Sequence, residues 1–168
     1  MLGIDTGRLV EELAGQSKLH VIAVDESSRK VAALRKRLFD MGLYGTRVSV
    51  LVGDPTRYPF PPYVASLVVS ETLNDFDRPN VAEGVFQTLR PYGGVACAWR
   101  PNANRSRIEE IVEHEALSGA KVKEAGDLVL LVRAGPLPGA ADWSHAEANA
   151  ASTGASEDEI ISAPMTVL

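Results

Sequence analysis

The sequence holds one cysteine, Cys97, and three histidines among its 168 residues. A lone cysteine excludes an intrachain disulfide and a thiolate-rich metal site. No apolar run approaches the length needed to cross a bilayer. No basic stretch leading into an apolar run opens the chain, so no signal peptide is visible. Positive charge is not in surplus either: 17 Lys and Arg stand against 22 Asp and Glu, a net charge of −5. The excess acid is local. Residues 134–168 carry Asp142, Glu147, Glu157, Asp158 and Glu159 with no Lys or Arg, which leaves 17 acids against 17 bases elsewhere. A neutral body with an acidic tail gives no electrostatic reason to expect nucleic acid or an anionic membrane as a partner. No Ser-His-Asp or Cys-His arrangement marks a nucleophile. Glu110 and His114, four apart on a helix, have no third metal ligand near them and read as a solvated face.

What is present is a chain that is 45% hydrophobic and long enough to bury a core of its own. Residues 1–133 alternate between helical and strand patterns. Arg8 to Gly15 reads as a short helix. Leu19 to Val24 is a β-branched run typical of a buried strand. Ser27 or Ser28 can cap a helix whose apolar face is Val31, Leu34, Leu38 and Met41, ending at Gly42. The consecutive Arg35, Lys36 and Arg37 spread around that helix and read as solvated. Val48–Val52, Ala65–Ser70 and Val95–Trp99 are further strands. Helices with faces Ala82, Val85, Phe86, Leu89 and Ile108, Ile111, Val112 stand among them. Ala120–Lys123 and Leu128–Arg133 flank a turn and form a hairpin. Strict alternation predicts right-handed crossovers and a parallel sheet, and the hairpin predicts an antiparallel strand near one edge. Residues 134–168 lose all periodicity and read as a linker, poorly packed, or the start of a following segment.

A parallel α/β sheet binds its ligand beyond the carboxyl ends of its strands. Those ends carry Gly3-Ile4-Asp5-Thr6-Gly7, Asp25-Glu26, Gly53-Asp54 and Ser70-Glu71. A glycine turn into a helix lets the backbone approach a ligand closely. An acid 18 residues past Gly7 is placed to accept from both hydroxyls of a ribose. A second acid, one strand further on, can accept from an exocyclic adenine amine. Together they describe an adenosine-bearing ligand. Each piece has a plainer use: the glycines an ordinary turn, Asp25 a helix cap, Asp54 before Pro55 a turn residue.

With these residues in place, "GIDTG", "HVIAVDES", "VLVGD" and "LRPYGGVACAW" resemble the class I S-adenosylmethionine-dependent methyltransferases, in particular their small-molecule type 11 group. The last stretch looks like that family's L-(K/R)-P-G-G turn and is the most specific of the four. The resemblance implies a Rossmann-like α/β fold over residues 1–133 with a C-terminal antiparallel strand. It implies S-adenosylmethionine as cofactor, with Gly3, Asp5 and Gly7 at its methionine end. Asp25 and Glu26 fall at the ribose, Gly53 and Asp54 at the adenine, and Ser70 and Glu71 near the transferred methyl. "SETLNDFDRP" lacks the Asn/Asp-Pro-Pro-aromatic signature of amino-methylating DNA and protein enzymes, so by elimination a small-molecule methyl acceptor is expected, and an active enzyme of this kind would be cytoplasmic.

The chain also departs from the family. Met1 stands where the loop's acid belongs, Asp5 replaces the middle glycine, and most of the first strand is missing. The expectation is an N-terminally truncated domain of a longer bacterial protein. The tail, with Trp143 and His145, resembles the lead-in to a quinoprotein-like β-propeller fused downstream. Two alternatives stay open. One is a degenerate, non-catalytic methyltransferase-like domain with a structural or binding role. The other is a nicotinamide-binding Rossmann domain, for which the four-residue step from Gly3 to Gly7 is the wrong spacing.

Overall fold

The computed structural model describes residues 1–70, 78–99, 104–114, 117–141, 144, 146, 150–152, 154 and 158–159. The elements in chain order are α1 (Arg8–Gln16), β1 (Val21–Asp25), α2 (Ser28–Asp40), β2 (Val48–Val52) and β3 (Leu67–Val69). They continue with α3 (Pro79–Thr88), β4 (Gly94–Trp99), α4 (Arg105–His114), β5 (Ala120–Ala125) and β6 (Leu128–Arg133). Helix α2 shows how local sequence makes an element. The Ser27 hydroxyl accepts from the Lys30 N–H at its start. Val31, Leu34 and Leu38 lie on one face and are buried. The helix stops at Asp40, and Gly42 turns the chain with φ 69°. Met41, expected on the apolar face, therefore falls just past the helix and is 48% exposed.

β1 and β2 pair in parallel, and a second group runs β3-β4-β6-β5. β3 and β4 are parallel, whereas β6 is antiparallel to both β4 and β5. The closing hairpin thus inserts its last strand beside β4, the antiparallel strand expected from its turn. Residues 1–3 join the two groups. Leu2 N–H donates to Val69 O at 2.9 Å, Gly3 N–H to Val24 O at 2.8 Å, and Val24 N–H to Met1 O at 3.1 Å. The sheet order is then β2, β1, Met1–Gly3, β3, β4, β6, β5. Residues 1–3 form a short stub parallel to β1.

Two apolar clusters hold the layers together. Ile4, Val10, Leu34, Leu38 and Val50 pack under α1 and α2, while Phe86, Leu89, Ile108 and Leu131 pack under α3 and α4. Arg133, at the end of β6, is only 4% exposed. Its Nη2 donates to Phe86 O at 2.8 Å, and its guanidinium lies 3.8 Å from the Phe86 ring centroid. Burial pushes its pKa down from the ordinary value.

Met1 is half-buried, and its α-ammonium donates to Ile22 O at 2.5 Å. Desolvation lowers its pKa from 8.0 to about 6. Below the folded value both states are protonated and the fold carries the full cost of the buried cation. Between the two values the unfolded chain binds more protons, so stability rises with pH. The 168-residue chain is expected to gain up to about 2–3 kcal/mol between roughly pH 6 and pH 8. Urea denaturation of the free and N-acetylated chains checks this, since the titrating histidines are common to both. Equal pH slopes for the two would refute it.

Candidate functional site

The parallel pairing puts the carboxyl ends of the stub, β1, β2 and β3 along one edge of the sheet. Gly3 and Gly7 have φ of 78° and 83°, a region that side chains disfavour. At Gly7 space is also closed: a Cβ would lie 2.6 Å from Arg37 Nη2 and 2.8 Å from Leu34 Cδ1. The loop between them is tied to β1 by Asp25. Its Oδ2 accepts from the Ile4 N–H at 2.7 Å, and its Oδ1 accepts from the Ser27 N–H at 2.8 Å. Asp25 is 7% exposed. Asp25 does not cap α2, its expected alternative use: Ser27 is the cap, and Asp25 accepts from the Ser27 N–H. Glu26, the next residue, is exposed, and no described residue hydrogen-bonds to its carboxylate.

Asp54 closes the third corner. The Thr56 hydroxyl donates to its Oδ1 at 2.6 Å and the Thr56 N–H at 2.8 Å. These bonds hold its carboxyl below the usual carboxylate range, so it is an anionic acceptor at neutral pH. At Gly53 the backbone is crowded by the Tyr58 ring, where a Cβ would meet ring carbons at 2.6 and 2.9 Å. The Ser70 hydroxyl donates to Leu2 O at 2.6 Å, fixing the end of β3 to the stub. Asp5 is exposed on the loop. Glu71 lies outside the described residues, as do Trp143 and His145 of the tail.

Three residues of the site escape a reading of strand ends. Lys30 Nζ donates to Ile4 O at 2.8 Å and lies 3.8 Å from Asp25 Oδ2. Arg37 Nη2 donates to Thr6 O, and its Nε to Glu11 Oε1, both at 2.6 Å. Arg37 is therefore not simply solvated, and neither is Arg35, which donates to Val50 O. Lys30, Leu34 and Arg37 are spaced four and three apart, which places them on the one face of α2 that supports the glycine loop. That spacing was the available signal. Tyr58 left none, because its contact with Gly53 depends on a turn within the loop after β2.

The arrangement is rich in acceptors: Asp5, Asp25, Glu26 and Asp54 against Lys30 and Arg37. It suits a ligand that offers hydroxyl and amine donors and carries positive charge. Burial pushes the Cys97 thiol pKa up, away from nucleophilic use.

The sheet order is that of a class I, Rossmann-like methyltransferase fold. Residues 1–93 match the methyltransferase domain family, and the chain belongs to that family. Among solved structures, the chain is similar to a Methanococcus maripaludis protein assigned to the S-adenosyl-L-methionine-dependent methyltransferases. The two are 18% identical with a TM-score of 0.62, over 77% of this chain and 73% of that one. It is also similar to a SAM-dependent methyltransferase of Aquifex aeolicus, at 16% identity and TM-score 0.54, over 76% of each chain. The [4+2]-cyclase SpnF shares the fold at 17% identity and TM-score 0.55, over 73% of this chain but only 50% of that one. At these identities the likeness is one of fold. No curated protein matches the chain.

Proposed function

We propose that this domain binds S-adenosylmethionine at that edge of the sheet and transfers its methyl group to a small-molecule acceptor. The observation that carries the reading is the tie between Asp25 and the Ile4 N–H, which makes the glycine loop and the end of β1 one rigid unit. Gly3 to Gly7 then faces the methionine end of the cofactor. Asp25 retains lone pairs beyond the two backbone bonds, and with Glu26 it accepts from the ribose hydroxyls. Asp54, beside Gly53, accepts from the adenine amine. The Ser70 end of β3, with Glu71 after it, lies toward the reacting methyl. Bound S-adenosylmethionine supplies an already activated methyl, so the chain's part is to hold and align. Four carboxylates along that edge favour a cationic sulfonium over its neutral, demethylated product.

Calorimetric titration of S-adenosylmethionine into the purified chain tests this. Micromolar binding is expected, weakened about tenfold by Glu26→Gln, the loss of one charge-assisted hydrogen bond. Glu26 is exposed and supports nothing in the fold, so the variant remains a clean probe.

The non-catalytic reading has its own support. Asp5 takes the loop's middle position, and Asp25 is already engaged twice. A folded chain that fails to bind the cofactor would establish that reading instead. Methyl transfer to a panel of small amines, phenols and carboxylates, followed by release of S-adenosylhomocysteine, distinguishes a binding domain from an enzyme.

A further inference from the structure

The glycine loop is held at two points by different elements. Its inner half is buried. There Asp25 accepts from the Ile4 N–H, and Lys30 Nζ donates to Ile4 O at 2.8 Å. Its outer half, Asp5 and Thr6, is exposed and is the part that a ligand can touch. Arg37 ties this half to α2. Its Nη2 donates to Thr6 O, and its Nε donates to Glu11 Oε1 of α1, both at 2.6 Å. The guanidinium comes this close because residue 7 has no side chain: a Cβ there would lie 2.6 Å from Nη2. Both side chains of the pair are partly shielded from water, where a charge-assisted bond is worth more than at a fully exposed site. One planar group with donors at fixed angles serves two acceptors at once, which the point charge of a lysine does not. Asp5 therefore stands between two fixed neighbours, Ile4 and Thr6. No described residue pairs with its carboxylate.

We propose that Arg37 is a positioning residue: braced by Glu11, it fixes Thr6 so that the Asp5 carboxylate is set to receive the ammonium at the amino-acid end of the cofactor. The inference rests on S-adenosylmethionine binding at this loop, as proposed above. A carboxylate on a backbone already held at both sides meets a cation with little ordering cost, and such preorganisation raises affinity without any new contact. Arg37 itself touches neither the ligand nor Asp5's side chain in this scheme. Its effect on binding passes through Asp5.

Calorimetric titration of two probes into the 168-residue chain tests this. One is S-adenosylmethionine. The other is methylthioadenosine, which keeps the adenosine and a thioether but lacks the amino-acid end. Arg37→Gln is expected to bind S-adenosylmethionine about tenfold more weakly, the loss of one well-placed charge-assisted bond, and methylthioadenosine within about twofold of wild type. Asp5→Asn should show the same selective loss. Because Arg37 acts through Asp5, the double variant should also lose about tenfold, not about a hundredfold. Titrations well below each Tm keep unfolding out of the comparison. If Arg37→Gln does not fold, Glu11→Gln removes the brace's charge instead, and the same pattern is expected at about threefold. Losses that multiply in the double variant would give Arg37 a role independent of Asp5 and overturn the proposal. So would equal weakening of both probes, the mark of a merely structural role, or S-adenosylmethionine binding unchanged by either single variant. A folded wild-type chain that binds neither probe overturns the cofactor reading itself, and this inference with it.

Discussion

Asp25→Ala is expected to lower Tm by about 10 °C, making it a folding mutation before it is a binding mutation. The carboxylate is 7% exposed and accepts from two backbone donors that have no other partner nearby. The Ile4 N–H is buried, and leaving such a donor unsatisfied costs about 1–3 kcal/mol. The Ser27 N–H and the half-exposed Lys30 ammonium, 3.8 Å from Asp25 Oδ2, add to this. A total near 3–5 kcal/mol is a large share of the roughly 5–15 kcal/mol that holds a domain together. Asp25→Asn keeps an acceptor for Ile4 and is expected to cost less than half as much. Thermal and urea denaturation of the two variants provide the check. An alanine variant as stable as wild type would mean that the loop is not anchored through this carboxylate. The functional reading would then return Asp25 wholly to the ribose. Because the residue holds the loop and is also the proposed ribose acceptor, loss of cofactor binding in Asp25→Ala identifies neither role alone. Glu26→Gln separates them.

Gly7→Val is expected to destabilise the chain by about 2–4 kcal/mol, from backbone strain and overpacking together. The backbone sits at φ 83°, where a β-branched side chain is strained wherever it is placed. The added atoms also meet Arg37 Nη2 and Leu34 Cδ1 within 3 Å. Arg37 can swing away, but doing so gives up its bonds to Thr6 O and Glu11. Leu34 is 1% exposed and has no space to yield. Gly42→Ala is the control. It shares a positive φ of 69°, yet no atom lies within 4 Å of its Cβ position. That substitution should cost only the strain, about 1–2 kcal/mol. Urea midpoints for the two variants measure the difference. Equal losses would show that crowding at the loop contributes nothing, and that α2 does not hold the loop from behind.

The loop that these two residues anchor was visible in the sequence; its anchors were only half visible. Gly3 and Gly7 announce a tight turn by type, and Asp25 announces itself by ending a β-branched run. Neither spacing reveals that Asp25 is buried and bonded to Ile4, 21 residues away. Sequence placed Arg37 on a solvated face because its neighbours Arg35 and Lys36 point elsewhere around the helix. The structure leaves it exposed but bonds it to Thr6 O and Glu11, because α2 packs against the loop on the side that Leu34 and Arg37 share. Met41 shows the opposite error, where the apolar spacing ran one residue past a helix that Gly42 had already stopped.

By itself the sequence determined the elements and their class. Period 3.6 in α2, β-branched runs in β1 and β2, and the 120–133 hairpin are written in residues a few positions apart. Local backbone preference and the burial of one face act over that range, so near-neighbour spacing records them. The order of strands also followed in part, since alternation forces parallel crossovers and a hairpin forces an antiparallel pair. Only the tertiary structure decided that residues 1–3 wedge between β1 and β3. It alone bonded the Met1 ammonium to Ile22 O and seated Arg133 on Phe86. Those outcomes depend on backbone bonds and desolvation between segments that lie 20 to 70 residues apart. Hydrophobic spacing carries no record of such partners, because any apolar strand would satisfy it equally well.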